Sequence, residues 1–461
     1  MTTRHCCSMG LSILLCIAVA AGADPGGRIM PDDLVYKGAF RLPDGPDEHA
    51  WGWSGQAMAY CPTGDAKGGD DGHPGSLFGT GHNWHQWLSE ISIPKPAVPA
   101  DKDVKKLPVA KTLQKFTDVR GKLFKRDMEQ ARAGLAYLPA RGKQTTAKLY
   151  FSFGPHMDEG SQQPSHGWCE TNLAKANPAG PWRIGDITTY ITTDYMLPIP
   201  KAWADKHAGG FALATGRFRD GGQGSQGPTL VALAPWLDGN PPAAGAKLRA
   251  EVLLRYSAIT DDKQVKLKDY HHSDAWTGAA WMTAGKRSAL VFVGTKGKGK
   301  CWYGFANGVV WPEQGPWPAV PPAPNDQRGW WSTKFVCEML FYDPADLAAV
   351  AAGKKKPHDP QPYATLDFDK LRLSKVKRPL ERTSAAAFDA ARGCLYVFEP
   401  RADEDKSIVH VWKIRPPAPK RPAPKNTSAA PKDDGAAPTG AREDGEQASR
   451  LTPAAETPPG G

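Results

Sequence analysis

Apolar residues in this chain fall in short runs with a period of two, separated by clusters of Gly, Pro, Asn, Asp and Ser. SLFGTGH, KLYFSFGP, ALVFVGTK and CLYVFEP are typical, and no long stretch repeats at helical spacing. The pattern predicts strands throughout. Self-comparison shows that one phrase recurs: small residues, an apolar strand, a turn, and a second apolar strand. SGQAMAYCPTGD with SLFGTGH spans 54–82, RAGLAYLPARG with KLYFSFGPH spans 132–156, TGAAWMTAGKRSALVFVGTK spans 277–296, and TSAAAFDAARGCLYVFEPR spans 383–401. GGFALATG at 209–216 begins a fifth copy, with GPTLVALAPW as its second strand after a glycine-rich insertion. Each pair reads as a hairpin.

Further alternating runs follow each pair: WLSEISI, WRIGDITTYITTDYMLPI, KFVCEMLFYD and SIVHVWKI. The fold class expected is therefore all-β, a β-propeller of about five four-stranded blades. The final unit supplies only three strands before Arg415, whereas LVYKGAFRLP at 34–43 has no partner of its own. Placing that N-terminal strand as the fourth strand of the last blade closes the ring and removes an open edge. The insertions 94–127 and 312–328 either hide or decorate a blade.

WGWSGQAMAY, SLFGTGHNWHQWLSEISIP, SHGWCE, TGAAWMTAGKRSALVFVGTKGKGKCWYGFANGVVWP and SAAAFDAARGCLYVFEP with IVHVWKI together resemble a family of secreted bacterial propeller proteins. The resemblance covers most of 30–415. It implies the fold and export and carries over no catalytic residue.

Composition changes the picture at both ends. Residues 1–23 combine Arg4, an apolar run at 11–21 and small residues at Ala21 and Ala23, the pattern of a signal peptide cleaved before Asp24. The run is shorter than the ~20 residues that span a bilayer, and no later segment is apolar enough, so no membrane span is expected. Residues 416–461 are Pro/Ala-rich with almost no bulky apolar side chain, a disordered tail by composition. The propeller domain is thus 30–415. The full chain carries a formal charge of +10, which falls to +9 when Arg4 leaves with the leader. That balance suits an anionic partner. No nucleic-acid motif accompanies it. Five of the eight cysteines remain after 1–23 is removed. Cys61 and Cys394 fall at the first hairpin turn of units that become neighbours on closure, so a disulfide between them is one expectation.

In a propeller, segments leading into the innermost strands share a face with turns joining second to third strands. That rule gathers His49, Trp51 and Trp53, residues 128–130, Asp205 and His207, His271, His272, Asp274 and Trp276, then Glu381 and Arg382. It adds the turns HNWHQW, HMDEGSQQPSHGWCE, KGKGKCW and PRADEDK. Sites favour such loops on rigid scaffolds.

His271 or His272 beside Asp274 has the composition of a proton-transfer pair, with Glu381 assisting. The same residues would equally serve as a capping network at the blade. Glu159 and Glu170, flanking SHGW, are further acid/base candidates. Trp51, Trp53, Trp84, Trp168 and Trp276, with His166 and Arg382, are the substrate-binding candidates, because flat rings stack on sugars and arginine grips carboxylate or sulfate. His82 and His85 could hold a divalent metal, and the cofactor is otherwise unknown. The acidic loop 64–72 lacks calcium-hand spacing.

Two functions follow. One is an exported polysaccharide-active lyase or glycoside hydrolase, secreted or periplasmic. The alternative is a non-catalytic glycan- or protein-binding propeller. A quinone-dependent redox propeller is a third. The partner expected is a polysaccharide or other extracellular ligand, and the chain is expected to be a monomer. No G-x-S-x-G or phosphate-loop phrase is present.

Overall fold

The computed structural model describes residues 27–45, 51–68, 72–121, 123–124, 132–154, 162–217, 220–375 and 382–416. The expected leader, the tail from 417 onward, His49, residues 128–130, His156, Glu159 and Glu381 lie outside the described residues.

Among the described residues, strands form five antiparallel sheets. The first strand, β1 (Leu34–Arg41), is set aside for the end of the ring. Blade one is β2 (Met58–Cys61), β3 (Ser76–Thr80), β4 (Leu88–Ser92) and β5 (Thr112–Thr117). Blade two is β6 (Arg132–Leu138), β7 (Lys148–Gly154), β8 (His166–Glu170) and β9 (Ala179–Ile184). Blade three starts with β10 (Tyr195–Pro198), passes helix α1 (Lys201–His207), and adds β11 (Leu213–Gly216) and β12 (Leu230–Leu233). Next, β13 (Lys247–Leu248) lies parallel to β9 of blade two, and β14 (Ala250–Leu254) finishes blade three. Blade four is β15 (Ala275–Ala284), β16 (Arg287–Gly304) and β17 (Gly329–Tyr342), then helix α2 (Pro344–Ala351) and β18 (Ala364–Asp367). Blade five is β19 (Ala386–Asp389), β20 (Cys394–Asp403) and β21 (Lys406–Ile414), with β1 as its fourth strand.

The innermost strands touch in the order β2, β6, β10, β15, β19 and back to β2. This closed cycle is a five-bladed β-propeller. Crowding around the axis explains the small residues of the repeated phrase. A Cβ on Gly134 would stand 2.7 Å from the Tyr195 carbonyl carbon, and one on Gly278 would stand 2.3 Å from the Ser384 oxygen. Burial then varies with distance from the axis. The middle strands β3, β7 and β12 are buried at every position, because each blade is covered by a neighbour on both faces. The outermost β5 and β18 have no fully buried position.

β1 pairs antiparallel with β21 from Leu34↔Ile414 to Arg41↔Ile408 and buries Ala39 and Phe40. A polar chain reinforces the closure. Tyr36 Oη lies 2.8 Å from His410 Nδ1, and His410 Nε2 lies 2.8 Å from Glu399. Glu399 also accepts the Leu373 and Ser374 amides at 2.9 and 2.8 Å. Burial pushes this carboxyl up, but His410 and the amides outweigh it and hold it below the usual range.

Three expectations need correction, and the open question of the two insertions is answered. GGFALATG supplies the second strand of blade three rather than its first. The run WRIGDITTYITTDYMLPI is split, with its start closing blade two and its end forming β10. The insertion 94–127 holds β5, the fourth strand of blade one, while 312–328 belongs to the tip between β16 and β17. Finally, Cys61, Cys169, Cys301, Cys337 and Cys394 are all free thiols. Alternation along β2 turns Cys61 toward blade two, where it packs with Leu135 and Phe151. Cys394 packs in the layer between blades five and one. Among the described residues, no helix is long and apolar enough to cross a membrane.

Candidate functional site

Connections alternate between the two ends of the ring, so the starts of inner strands and the second-to-third turns share one end. Backbone contacts knit this end together. Trp53 N donates to Asp405 O at 2.8 Å, joining blade one to the blade-five turn. Gly221 N donates to His272 O at 2.9 Å, joining blades three and four. Asp205 and His207 are absent from this end, because α1 joins the first and second strands of blade three.

Asp274, immediately before β15, is fully buried. Its carboxylate accepts Lys296 Nζ at 3.0 Å on both oxygens, the Gly297 amide at 2.9 Å and the His271 amide at 3.0 Å. Burial pushes its pKa up to about 6, against the opposing pull of Lys296. At neutral pH this is a buried ion pair tied to the backbone. Blade three repeats the device: Asp194 precedes β10, Arg217 follows β11, and their Oδ1 and Nε atoms lie 3.3 Å apart in the interior. Asp274 therefore caps the blade and engages His271 only through the main chain.

The His271 ring turns instead to Ser332, with Nδ1 2.8 Å from Oγ, and Ser332 Oγ is 2.6 Å from Ser273 Oγ. Burial first, then the charges of Lys296 and Lys298, hold His271 below its ordinary pKa. A neutral imidazole here can accept the serine proton. His272 diverges, stacking on Trp330 at 4.3 Å, and burial lowers its pKa as well. Ser332 escaped sequence reasoning because it lies 61 residues from His271.

Several expected ligand contacts are interior. Trp51 packs on Phe116 at 4.9 Å, Trp168 meets Tyr150 and Trp182 edge-on, and Trp276 is completely covered. Stacking on a sugar needs an exposed ring face, so these three are blade-packing residues. His166 is buried between Ser165 Oγ and Thr215 Oγ1, each 2.9 Å away, and burial takes its pKa down to about 3. It is a neutral bridge between blades two and three. Arg382 donates to the Phe335 carbonyl at 3.1 Å and lies 3.5 Å from Asp369, between blades four and five. Glu170 pairs with Lys148 at 2.6 Å.

His82 and His85 do come together on one turn, with ring centroids 5.7 Å apart and His85 N donating to His82 O. Burial, then His85, lowers the His82 pKa, while Asp405 opposes. Among the described residues no group of three His, Cys, Asp or Glu side chains is arranged to hold a metal, so this pair lacks a third donor of those types.

What this end does expose is aromatic and basic. Trp84 is 77% exposed and Trp53 46%, with the Arg401 guanidinium 5.1 Å from the Trp53 ring. Beyond Thr295, the partner of Ala275, β16 and β17 run on as a two-stranded arm to Gly304 and Gly329. Exposed Lys298, Lys300 and Lys334 line the arm. At its tip Trp311 and Trp317 stack at 6.2 Å, Arg328 covers Trp311 at 4.4 Å, and Trp317 is 64% exposed. The alternation KGKGK and the tryptophans of 311–317 were the available signal in the sequence.

Fold and site together define a five-bladed β-propeller with an aromatic, basic face. No protein-family model matches the chain, and no curated protein matches it.

Proposed function

We propose that this propeller is an exported binding protein for an anionic polysaccharide, laid across the face bearing Trp53, Trp84 and the β16–β17 arm. The carrying observation is the pairing of surface rings with guanidinium groups, Arg401 on exposed Trp53 and Arg328 on half-buried Trp311, which in turn stacks on exposed Trp317. Rings of this kind stack on sugar faces while neighbouring cations meet carboxylate or sulfate. The signal-peptide pattern at 1–23 supports a secreted or periplasmic setting.

Polygalacturonate is expected to bind and to weaken as salt is raised, whereas a neutral dextran of matched length binds far less. Trp84→Ala and Arg401→Gln should each weaken polygalacturonate about tenfold, which is about 1.4 kcal/mol. Equal affinity for dextran, or wild-type affinity in both variants, would remove the proposal.

A second reading, a polysaccharide-active lyase or hydrolase, draws on the 2.8 Å contact between His271 and Ser332. If the chain cuts glycans, His271→Gln and Ser332→Ala should lower the release of new reducing ends by about 10²–10⁴-fold with affinity retained. A panel of neutral and acidic polysaccharides that yields no new reducing ends leaves the binding reading alone.

A further inference from the structure

The opposite end of the ring has an opening of different chemistry. A cavity of about 250 Å³ runs between all five inner strands, walled by Met58, Leu135, Met196, Ala280, Ala387 and Phe388. That is the liquid volume of about eight water molecules. Walls of this composition offer a sugar few hydrogen-bond partners, so the cavity does not extend the face proposed for polysaccharide.

Two cations line it just past the ends of β6 and β10, Arg141 and Lys201. Lys201 is paired with Asp205 on α1. Arg141 lies over the Trp236 ring at 5.0 Å, and its buried Nε has no hydrogen-bond partner. No ion pair involves Arg141 among the described residues. Burial lowers its pKa, yet an arginine stays charged. Arg141 is half-buried, so its guanidinium offers a cation at the mouth of an apolar hole, and an anion that met it would also supply the partner its buried Nε lacks.

We propose that this end of the channel binds a small amphiphilic carboxylate, its apolar body among Met58, Met196 and Ala280 and its carboxylate on Arg141. Volume sets the size, the walls set the tail, and the Arg141 guanidinium, the lining cation without an ion pair among the described residues, sets the head group. A cationic amphiphile would leave Arg141 facing a like charge, and an alcohol would satisfy it only as a neutral acceptor.

The test is calorimetric titration of the full chain with octanoate, octanol and octylammonium. One octanoate per chain is expected, at least tenfold tighter than octanol, with no octylammonium binding. Arg141→Gln should bring octanoate down to the octanol level and leave octanol unchanged. Ala387→Leu, which fills the cavity, should abolish both, with its fold checked by an unfolding midpoint near the parent's. Trp84→Ala should leave octanoate untouched, which separates this site from the polysaccharide face. Equal affinity for octanoate and octanol, insensitivity to Arg141→Gln or Ala387→Leu, or no binding at all would overturn the proposal.

Discussion

Replacing Lys296 by methionine is expected to lower the unfolding free energy by about 3–5 kcal/mol, seen as a lower denaturant midpoint at unchanged slope. The reason is the charge left behind. Asp274 has no exposure, and among the described residues Lys296 is its only cationic partner, at 3.0 Å. The backbone amides of Gly297 and His271 remain but cannot balance a full buried charge. The double variant Asp274→Asn with Lys296→Met should recover much of the loss, since neither charge is then stranded.

The pH dependence has a definite sign. In the unfolded chain this carboxyl titrates near 4, and in the folded protein near 6. Between those values the folded state holds the proton and the unfolded state has lost it. Stability from this group therefore falls as pH rises from about 4 to about 6 and is level above, a change on the order of 3 kcal/mol. Asp274→Asn should remove that slope. Lys296→Met should carry it to higher pH, because the cation that favours ionisation is gone. A Lys296→Met protein that unfolds at the parent's midpoint at neutral pH would show that the pair is not an important stabiliser.

Deleting residues 27–43 should abolish cooperative unfolding at room temperature. Phe40 has no exposure, and burying a phenylalanine of this kind is worth about 3–5 kcal/mol on truncation to alanine. The deletion also loses Ala39 and Leu42, the Tyr36 link to His410, and the cover over the edge of β21. These losses rival the whole stability of a typical domain, about 5–15 kcal/mol. The same strand moved to the other end of the chain should restore the fold. Arg415 N donates to Asp33 O at 2.7 Å, so a short turn can join 415 to 33 with a new terminus at 51. Circular dichroism during urea unfolding distinguishes the two chains. A deletion that melts like the parent would mean that ring closure does not depend on β1.

Much of the ring was legible in the sequence because its geometry dictates composition. Inner strands crowd the axis and need Gly and Ala, while middle strands are covered on both faces and need unbroken apolar runs. Blade three was misread because β9 and β10 are joined through GDITTYITTD, in which the turn mark of Gly185 is followed by an apolar–Thr alternation that reads as continuing strand, although Thr189–Ile191 is a short helical turn. The site was less readable. Trp51 and Trp53 are two apart and look equivalent, yet Trp53 takes a left-handed φ of 54° that breaks the alternation and turns its ring outward. Asp274 and His271 are neighbours in sequence, but their side chains are claimed by Lys296 and Ser332. Both partners follow from the registers of β15 with β16 and β16 with β17, which composition does not specify.

The β16–β17 arm leaves the ring as a ribbon whose register is set by pairing within one hairpin, Trp302 against Trp331 and Tyr303 against Trp330. Trp302 and Trp331 also return their indole N–H groups to Phe305 and Gly304 of the same arm. What the tip presents is thereby uncoupled from how the blades hold together. Selection can rewrite 305–328 for a new target without retuning the barrel of strands beneath, much as a tool head is changed on a fixed handle. An engineer can treat that segment as an exchangeable cassette.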